Sequence, residues 1–121
     1  MGHSTTYDTE HDVVKLSVID KWSVEDAEGF YRETVEMLEG KTNKQILVDL
    51  NEAKVFTSSE ARKLTAKYVK DMNVTHLAIF NANPVVRIMG KILMQLTKET
   101  TKGNVLNTEQ EALDWVMKER G

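Results

Sequence analysis

The sequence contains no cysteine in its 121 residues. It therefore has no disulfide framework and no thiol for catalysis, which is typical of proteins in a reducing cytoplasm. No apolar run approaches the roughly 20 residues that span a bilayer, and no secretory segment is present. We expect a cytoplasmic protein without a transmembrane segment.

An excess of basic residues is also missing. The net charge is −3, which argues against nucleic acid as a partner. Residues 1–40 hold ten acidic and three basic side chains, whereas residues 41–121 hold nine acidic and thirteen basic ones. Such a chain can pair its own halves, pair with a second copy or present a basic face to an anion. Of these, we expect internal pairing.

Catalytic and cofactor motifs are absent as well. The sequence lacks a G-x-G-x-x-G motif, a phosphate-binding loop and a Ser-His-Asp arrangement. We therefore expect a non-enzymatic protein with no cofactor and no metal. An enzyme would need Asp49, His76 and Ser58 to converge. His76 lies inside an apolar strand pattern without a second ligand nearby, which is typical of a structural histidine.

What is present is organised around one strand–loop–helix stretch. Residues 46–49 form an apolar run closed by an aspartate, which predicts a buried strand. After a short connection, Thr57 and Glu60 match a capping box at the start of a helix. Helix starts favour anions, so Thr57, Ser58 and Ser59 form a candidate anion site. The simpler interpretation is that these hydroxyl residues are caps and nothing more.

This stretch resembles the STAS family, the sulfate-transporter and anti-sigma-factor-antagonist domains. In its regulatory members a strand is followed by the pattern D-S-[ST]-G, whose first serine accepts phosphate from a partner kinase. The matching residues here are Thr57-Ser58-Ser59-Glu60. The resemblance therefore implies Ser58 as the phosphoacceptor, with Thr57 in place of the Asp and Glu60 in place of the Gly.

Strands and helices are predicted to alternate along the rest of the chain. Helix starts are indicated by Ser23 with Asp26, by Pro84 after its cap, and by Thr108 with Glu111. The order predicts an α/β fold, with a mainly parallel sheet of four to five strands and four helices. We expect a tail or short edge strand at residues 1–11 and a single domain at residues 12–121.

The helix predicted at residues 84–97 has a wider apolar arc than one sheet face needs. We expect the excess to line a hydrophobic pocket or a dimer seam, and the glycine at position 90 to permit close approach of another element. The simpler interpretation is a well-buried helix with cationic solubilising residues. The candidates for the pocket or seam are Val85, Met89, Leu93 and Met94. The candidates for a basic face are Arg87, Lys91 and Lys98. Asn83, which precedes this helix, joins the candidate anion site.

The later part of the chain sharpens the resemblance. Val86-Arg87 at the start of the third helix and Glu111-Ala112-Leu113-Asp114-Trp115-Val116 near the end are similar to motifs of the SpoIIAA-like branch, described as STAS/SEC14-type. The resemblance implies the STAS fold over nearly the whole chain. Members of this branch mostly lack an assigned reaction.

We hypothesise a non-enzymatic regulatory or ligand-binding module. Its ligand would be small and apolar with an anionic head, its tail lying against Val85, Met89 and Leu93 and its head near Ser58 or Asn83. The alternative is a phospho-regulated interaction module of the anti-sigma-factor-antagonist type, with Ser58 as acceptor. The expected partners are a small lipophilic ligand or a regulatory protein, and a second copy in a homodimer.

Overall fold

The computed structural model describes residues 3–120, apart from the side chains of residues 54–57. These residues form five strands and four helices. The strands are β1 (Ser4–Asp8), β2 (Val13–Trp22), β3 (Gln45–Thr57), β4 (His76–Phe80) and β5 (Lys102–Val105). The helices are α1 (Val24–Leu38), α2 (Ser59–Asp71), α3 (Pro84–Thr97) and α4 (Glu109–Glu119).

The strands form one sheet in the order β1-β2-β3-β4-β5. β1 pairs with β2 antiparallel, and each later neighbour pair is parallel. A parallel pair needs a crossover connection, and α1, α2 and α3 supply these crossovers. The prediction of an α/β fold with a mainly parallel sheet and four helices is confirmed. The division of the chain at residue 12 stays a prediction.

β3 is longer than its sequence pattern predicts. It continues through residues 50–57, where a short connection was expected, beside β2, which reaches Trp22. The two strands keep pairing in this extension, Asp20 with Ala53 and Trp22 with Thr57, across irregularities in the register. The polar residues of the extension are poor strand formers. Pairing with a neighbouring strand therefore outweighs local propensity here.

The sheet is covered by three helices on one face and by one helix on the other. α1, α2 and α3 pack over a core that includes Leu16, Val48, Val69 and Ile79. α4 packs over the second core, which includes Leu47 and Phe80. Successive residues of a strand point to opposite faces. A strand buried on both faces must therefore be apolar at every position, as the runs of β3 and β4 are.

Side-chain caps set the starts of three helices where they were predicted. Ser23 with Asp26 and Thr108 with Glu111 form capping boxes at α1 and α4, and Asn83 caps α3.

The capping box predicted from Thr57 and Glu60 is wrong. α2 begins at Ser59, so its cap is Ser58, whose hydroxyl accepts a 3.0 Å hydrogen bond from the Ala61 N–H. The physical reason is that β3 keeps the backbone extended through residue 57. The side chain of Thr57 lies outside the described part of the structure.

α3 lies close to the sheet at Gly90. A Cβ atom at this position would lie 3.0 Å from Cδ1 of Ile79 in β4. The close approach predicted for this glycine is confirmed. The missing side chain of Gly90 lets the inward side of α3 lie against the sheet. Within the described residues, every helix is too short or too polar to cross a bilayer.

Two of the three lysine ion pairs among the described residues lie within residues 41–121. Among the described residues, lysines pair as Lys15 with Glu109, Lys67 with Asp71, and Lys102 with Glu119. Lys15–Glu109 joins the two parts of the chain, with its lysine in the acidic part. The predicted internal pairing of the two parts stays a prediction. The apolar sides of the helices pack on the sheet, which turns their charged sides to solvent.

Candidate functional site

An apolar cavity of about 100 Å³ lies between the sheet and its three-helix layer. Alternation along the strands points one set of apolar side chains to this face. The sheet contributes Leu16, Val18, Val48, Leu50, Leu77 and Ile79, and the helices contribute Phe30, Val69, Val86, Met89, Gly90 and Leu93.

Polar groups reach the cavity from the end of β2 and from α2. They are Asp20, Trp22, Arg62 and Thr65. β2 carries Asp20 and Trp22 because it extends beyond the core of the sheet. α2 carries Arg62 and Thr65, which lie three residues apart on neighbouring turns. The cavity is thus apolar inside, with a small number of groups that can orient a ligand.

Trp22 is held in place by contacts on several sides. Its indole Nε1 donates a 2.8 Å hydrogen bond to the Thr65 hydroxyl, which itself donates to the Ala61 carbonyl at 2.8 Å. Its ring meets Phe30 edge-on at 5.9 Å and His3 at 4.7 Å between centroids. These contacts give the cavity a rigid aromatic wall.

Arg62 connects two of the three helices that cover the cavity. Its Nη1 lies 3.4 Å from Sδ of Met89, so it links α2 to α3. The Arg62 side chain is half-buried. The aliphatic part of an arginine packs readily on apolar surface while its charged end stays near water.

The four residues proposed for an apolar pocket or dimer seam fall in three places. Met89 and Leu93 line the cavity. Val85 is 46% exposed on the outside of α3. Met94 packs against β5, where a Cβ atom on Gly103 would lie 2.9 Å from its sulfur.

The candidate basic face is also divided. Lys91 and Lys98 are exposed. Arg87 is half-buried, and its guanidinium donates to the Ala82 carbonyl at 3.4 Å and to the Asn107 side chain. Arg87 therefore ties the start of α3 to the loop before α4.

The candidate anion-binding residues lie at helix starts that follow parallel strands. Ser58 and Asn83 cap α2 and α3, and Ser59 is exposed in the first turn of α2. The Asn83 carbonyl oxygen accepts from the Val85 and Val86 N–H groups at 3.0 and 2.9 Å. Both cap side chains thus already satisfy helix N–H groups.

The three residues that an enzyme would require are not brought together. Asp49 pairs with Phe80, whereas His76 pairs with Gln45, so the two side chains lie four residues apart along the strands. This is about 13 Å at 3.3 Å per residue. The convergence that an enzyme would need is therefore not found for Asp49 and His76.

His76 contacts α4 instead of the cavity. Its ring meets Trp115 edge-on, and Nε2 lies 3.5 Å from Oε1 of Glu119. A hydrogen bond from Lys102 lowers the pKa of the Glu119 carboxyl. Within the described residues, no three His, Asp or Glu side chains cluster as a metal site.

A charged group beside the Trp22 wall is strongly hydrogen-bonded. Burial raises the pKa of Asp26, but hydrogen bonds from the backbone and hydroxyl of Ser23, both 2.8 Å, outweigh it. His3 adds a contact from Nε2 at 3.1 Å. The net effect lowers the pKa of Asp26, which favours its charged form at the start of α1.

Sequence reasoning missed Asp20, Trp22 and Arg62 as cavity residues. Trp22 carried one usable signal, since it directly precedes the Ser23 cap, a position that commonly packs against its own helix. The other two carried none. Their place at the cavity depends on the extension of β2 and on the packing of α2 against α3.

Comparisons with known proteins agree on the fold. A family model described as "Domain of unknown function (DUF7793)" matches residues 11–120. No curated protein matches the chain in sequence.

Several solved structures share the fold at low identity. An uncharacterized DUF3478-family protein with a SpoIIAA-like fold, from Shewanella loihica PV-4, is 16% identical with a TM-score of 0.70, over 95% of this chain and 92% of that one. The Bacillus cell fate determinant SpoIIAA in its phosphorylated form is 14% identical with a TM-score of 0.62, over 95% and 99% of the two chains. An anti-sigma-factor antagonist (STAS) domain protein from Planctomyces limnophilus is 18% identical with a TM-score of 0.60, over 95% and 97%. The predicted STAS/SpoIIAA-like fold is confirmed.

Proposed function

The chain belongs to the DUF7793 family and has the STAS fold, and we propose that it is a non-enzymatic regulatory module that binds a small lipophilic ligand. The observation that carries this proposal is the cavity of about 100 Å³, apolar inside and bordered by Asp20 and Arg62. The likeness to anti-sigma-factor antagonist structures supports a regulatory role.

The size of the cavity limits the ligand. Typical ligand pockets measure roughly 300–1,000 Å³, and an engineered apolar cavity of about 150 Å³ holds benzene. The present cavity therefore suits the short apolar part of a ligand whose polar head stays outside it. We propose an anionic head near Arg62, whose guanidinium binds carboxylates and phosphates well. The start of α2 at Ser58 lies one turn away, since the Arg62 N–H donates to the Ser58 carbonyl.

Tryptophan fluorescence provides a direct test of binding. The chain has two tryptophans, Trp22 at the cavity and Trp115 on the opposite face of the sheet. In a Trp115→Phe background, emission from Trp22 should change on titration with straight-chain carboxylates from butanoate to octanoate. Affinity should rise by about 0.8 kcal/mol per buried CH₂ until the cavity is filled. Alcohols of equal length, which lack the anionic head, should bind more weakly.

Two charge variants on α3 separate the cavity from the rest of the helix. Met89→Lys puts an ammonium group into the apolar lining and should abolish the response to octanoate. Gln95→Lys adds the same charge at an exposed position of the same helix and should leave the response intact. An unchanged Trp22 emission throughout the series, or equal responses from the two variants, would refute ligand binding in the cavity.

A phospho-regulated interaction module is the second candidate. Ser58 is exposed, caps α2 and stands one turn before Arg62. A phosphate here would meet the helix N-terminus and a nearby guanidinium, both of which favour negative charge. SpoIIAA in its phosphorylated form has a similar structure.

Intact mass spectra of protein isolated from its own host test this candidate. The parent protein and Ser59→Ala should each carry one phosphate, whereas Ser58→Ala should carry none. If Ser58→Ala takes up phosphate as readily as the parent, Ser58 is not the acceptor. We also propose that the protein is cytoplasmic, binds a regulatory protein and forms a homodimer. Light scattering of the purified protein measures its oligomeric state.

A further inference from the structure

The outer surface of α3 carries a row of exposed aliphatic side chains. Val85, Ile88, Ile92 and Leu96 are 46%, 58%, 38% and 38% exposed. Their spacing of three, four and four residues places them along one side of the helix, over about 16 Å at 1.5 Å per residue. We call this row the outer stripe. It is separate from the inward side of α3, which lines the cavity.

The outer stripe is a concentration of apolar surface, not scattered exposure. Single exposed apolar residues are normal on a protein surface, whereas contiguous ones mark interaction sites. Among the described residues, five large hydrophobic side chains are strongly exposed, and four of them form this stripe. The fifth, Val35, stands alone on α1.

Positive charge surrounds the outer stripe. Residues 59–98 contain seven basic and two acidic side chains, and α3 itself has no acidic residue. Lysines are exposed on α3, at its C-cap and on the neighbouring α2: Lys63, Lys67, Lys70, Lys91 and Lys98. Of these, only Lys67 forms an ion pair within the described part of the chain, with Asp71 at 2.9 Å. The exposed surface of α2 and α3, the α2–α3 face, is thus apolar along one row and cationic around it.

Negative charge is held on a different helix. α1 contains five acidic residues and one basic residue, and no ion pair among the described residues connects it to the lysines of α2 or α3. Apart from Lys67, the lysines of the α2–α3 face therefore have no ion-pair partner among the described residues.

These charges select the occupant of the face. A two-fold contact between two copies would bring the same lysine-rich surface together, and like charges oppose such a contact. An anionic lipid surface provides an apolar layer for the stripe and negative headgroups for the lysines. We propose that the α2–α3 face docks on an anionic membrane surface, with the outer stripe entering the interface and the lysines lying against the headgroups.

Co-sedimentation with lipid vesicles tests the proposal. The full chain should sediment with vesicles of phosphatidylcholine and phosphatidylglycerol, but not with phosphatidylcholine alone, and added salt should weaken the binding. Ile88→Ser/Ile92→Ser should reduce the binding by about tenfold or more, because two buried aliphatic side chains are lost from the interface. Lys91→Gln/Lys98→Gln should weaken binding to the anionic vesicles as well.

Val35→Ser serves as the matched control, since it removes an exposed aliphatic side chain from the acidic α1 and should leave vesicle binding unchanged. Circular dichroism shows whether each variant keeps its fold. Equal sedimentation of the parent and of the folded Ile88→Ser/Ile92→Ser variant would overturn the proposal. So would a parent dimer that this variant dissociates in the absence of lipid, which would assign the stripe to a second copy.

The inference is independent of ligand binding in the cavity. The Ile88→Ser/Ile92→Ser variant should keep the Trp22 response to octanoate, because neither residue lines the cavity. A parent protein that responds to octanoate but does not sediment with anionic vesicles overturns membrane docking alone and points to an acidic protein partner. Sedimentation with vesicles and no octanoate response overturns ligand binding alone.

Discussion

A side-chain hydrogen bond joins β2 to α2 at the cavity. Thr65 is 8% exposed. Its hydroxyl accepts a hydrogen bond from the Trp22 indole at 2.8 Å and donates one to the Ala61 carbonyl. A hydrogen bond of this kind typically contributes about 0.5–1.5 kcal/mol to stability. The Thr65 hydroxyl therefore helps to hold the aromatic wall of the cavity in place.

Thr65→Val should lower the free energy of unfolding by about 1 kcal/mol, because the hydrogen bond between residue 65 and the Trp22 indole is lost. The side chains have nearly the same shape, so the loss comes from the hydrogen bond and not from packing. Urea denaturation monitored by circular dichroism measures the change.

Thr34→Val is the matched control for this prediction. Thr34 is fully buried in α1, and its hydroxyl has no hydrogen-bond partner within the described residues. Replacing it removes a buried unpaired polar atom, so stability should stay the same or increase. Equal destabilisation by the two valine variants would show that the Trp22 contact contributes nothing.

At the scale of secondary-structure elements, the start of α1 depends on one carboxylate. Asp26 accepts hydrogen bonds from the backbone and the hydroxyl of Ser23, and His3 approaches the same oxygen. All three interactions favour the charged form and outweigh the opposing effect of burial on the Asp26 pKa. The first turn of α1 is thus tied both to its own cap and to the residue before β1.

Acidification should therefore destabilise α1 through Asp26. Its pKa in the folded protein is lower than the ordinary value of 3.8. A group of this kind contributes stability that is fully present above its unfolded pKa and is lost as pH falls through the folded one. The free energy of unfolding should decrease below about pH 4, and Asp26→Asn should flatten this decrease.

Urea denaturation at a series of pH values measures the dependence. Glu28→Gln, at an exposed position of the same helix, should keep the slope of the parent protein. An Asp26→Asn variant with the parent's pH dependence would contradict the role assigned to this carboxylate.

α3 shows how one helix pattern can serve two surfaces. The sequence predicts an apolar arc that is too wide for one sheet face, and the structure divides that arc. Met89 and Leu93 turn to the cavity, while Ile88 and Ile92 remain exposed. Periodicity identifies the apolar residues of a helix, but not which of them its neighbours cover.

At the scale of the whole molecule, charge is separated between helices of one layer. α1 is acidic, whereas α2 and α3 are basic, and the apolar sides of all three pack on the same sheet face. Packing of this kind buries the inward apolar side chains and leaves most charged side chains in solvent. The uneven charge along the sequence thus becomes an uneven charge over the surface, which can attract a partner of opposite sign.

Local patterns were sufficient to predict the fold class and most helix starts. Continuous apolar runs predict strands buried on both faces, and Ser23, Asn83 and Thr108 start helices by bonding to N–H groups two or three residues away. These interactions act within a few residues, so a sequence window contains all of their partners. Gly90 is similar, since its lack of a side chain is visible before its neighbour is known.

The cavity and its polar border arise from contacts between distant parts of the chain. Trp22 and Thr65 are 43 residues apart, and Arg62 meets Met89 across 27. The extension of β3, which moves the cap of α2 from Thr57 to Ser58, follows from pairing with β2. Each of these depends on which strand lies beside which and how closely the helices pack above them. A short sequence window does not contain both residues of such a contact. Only the tertiary structure therefore determines these features.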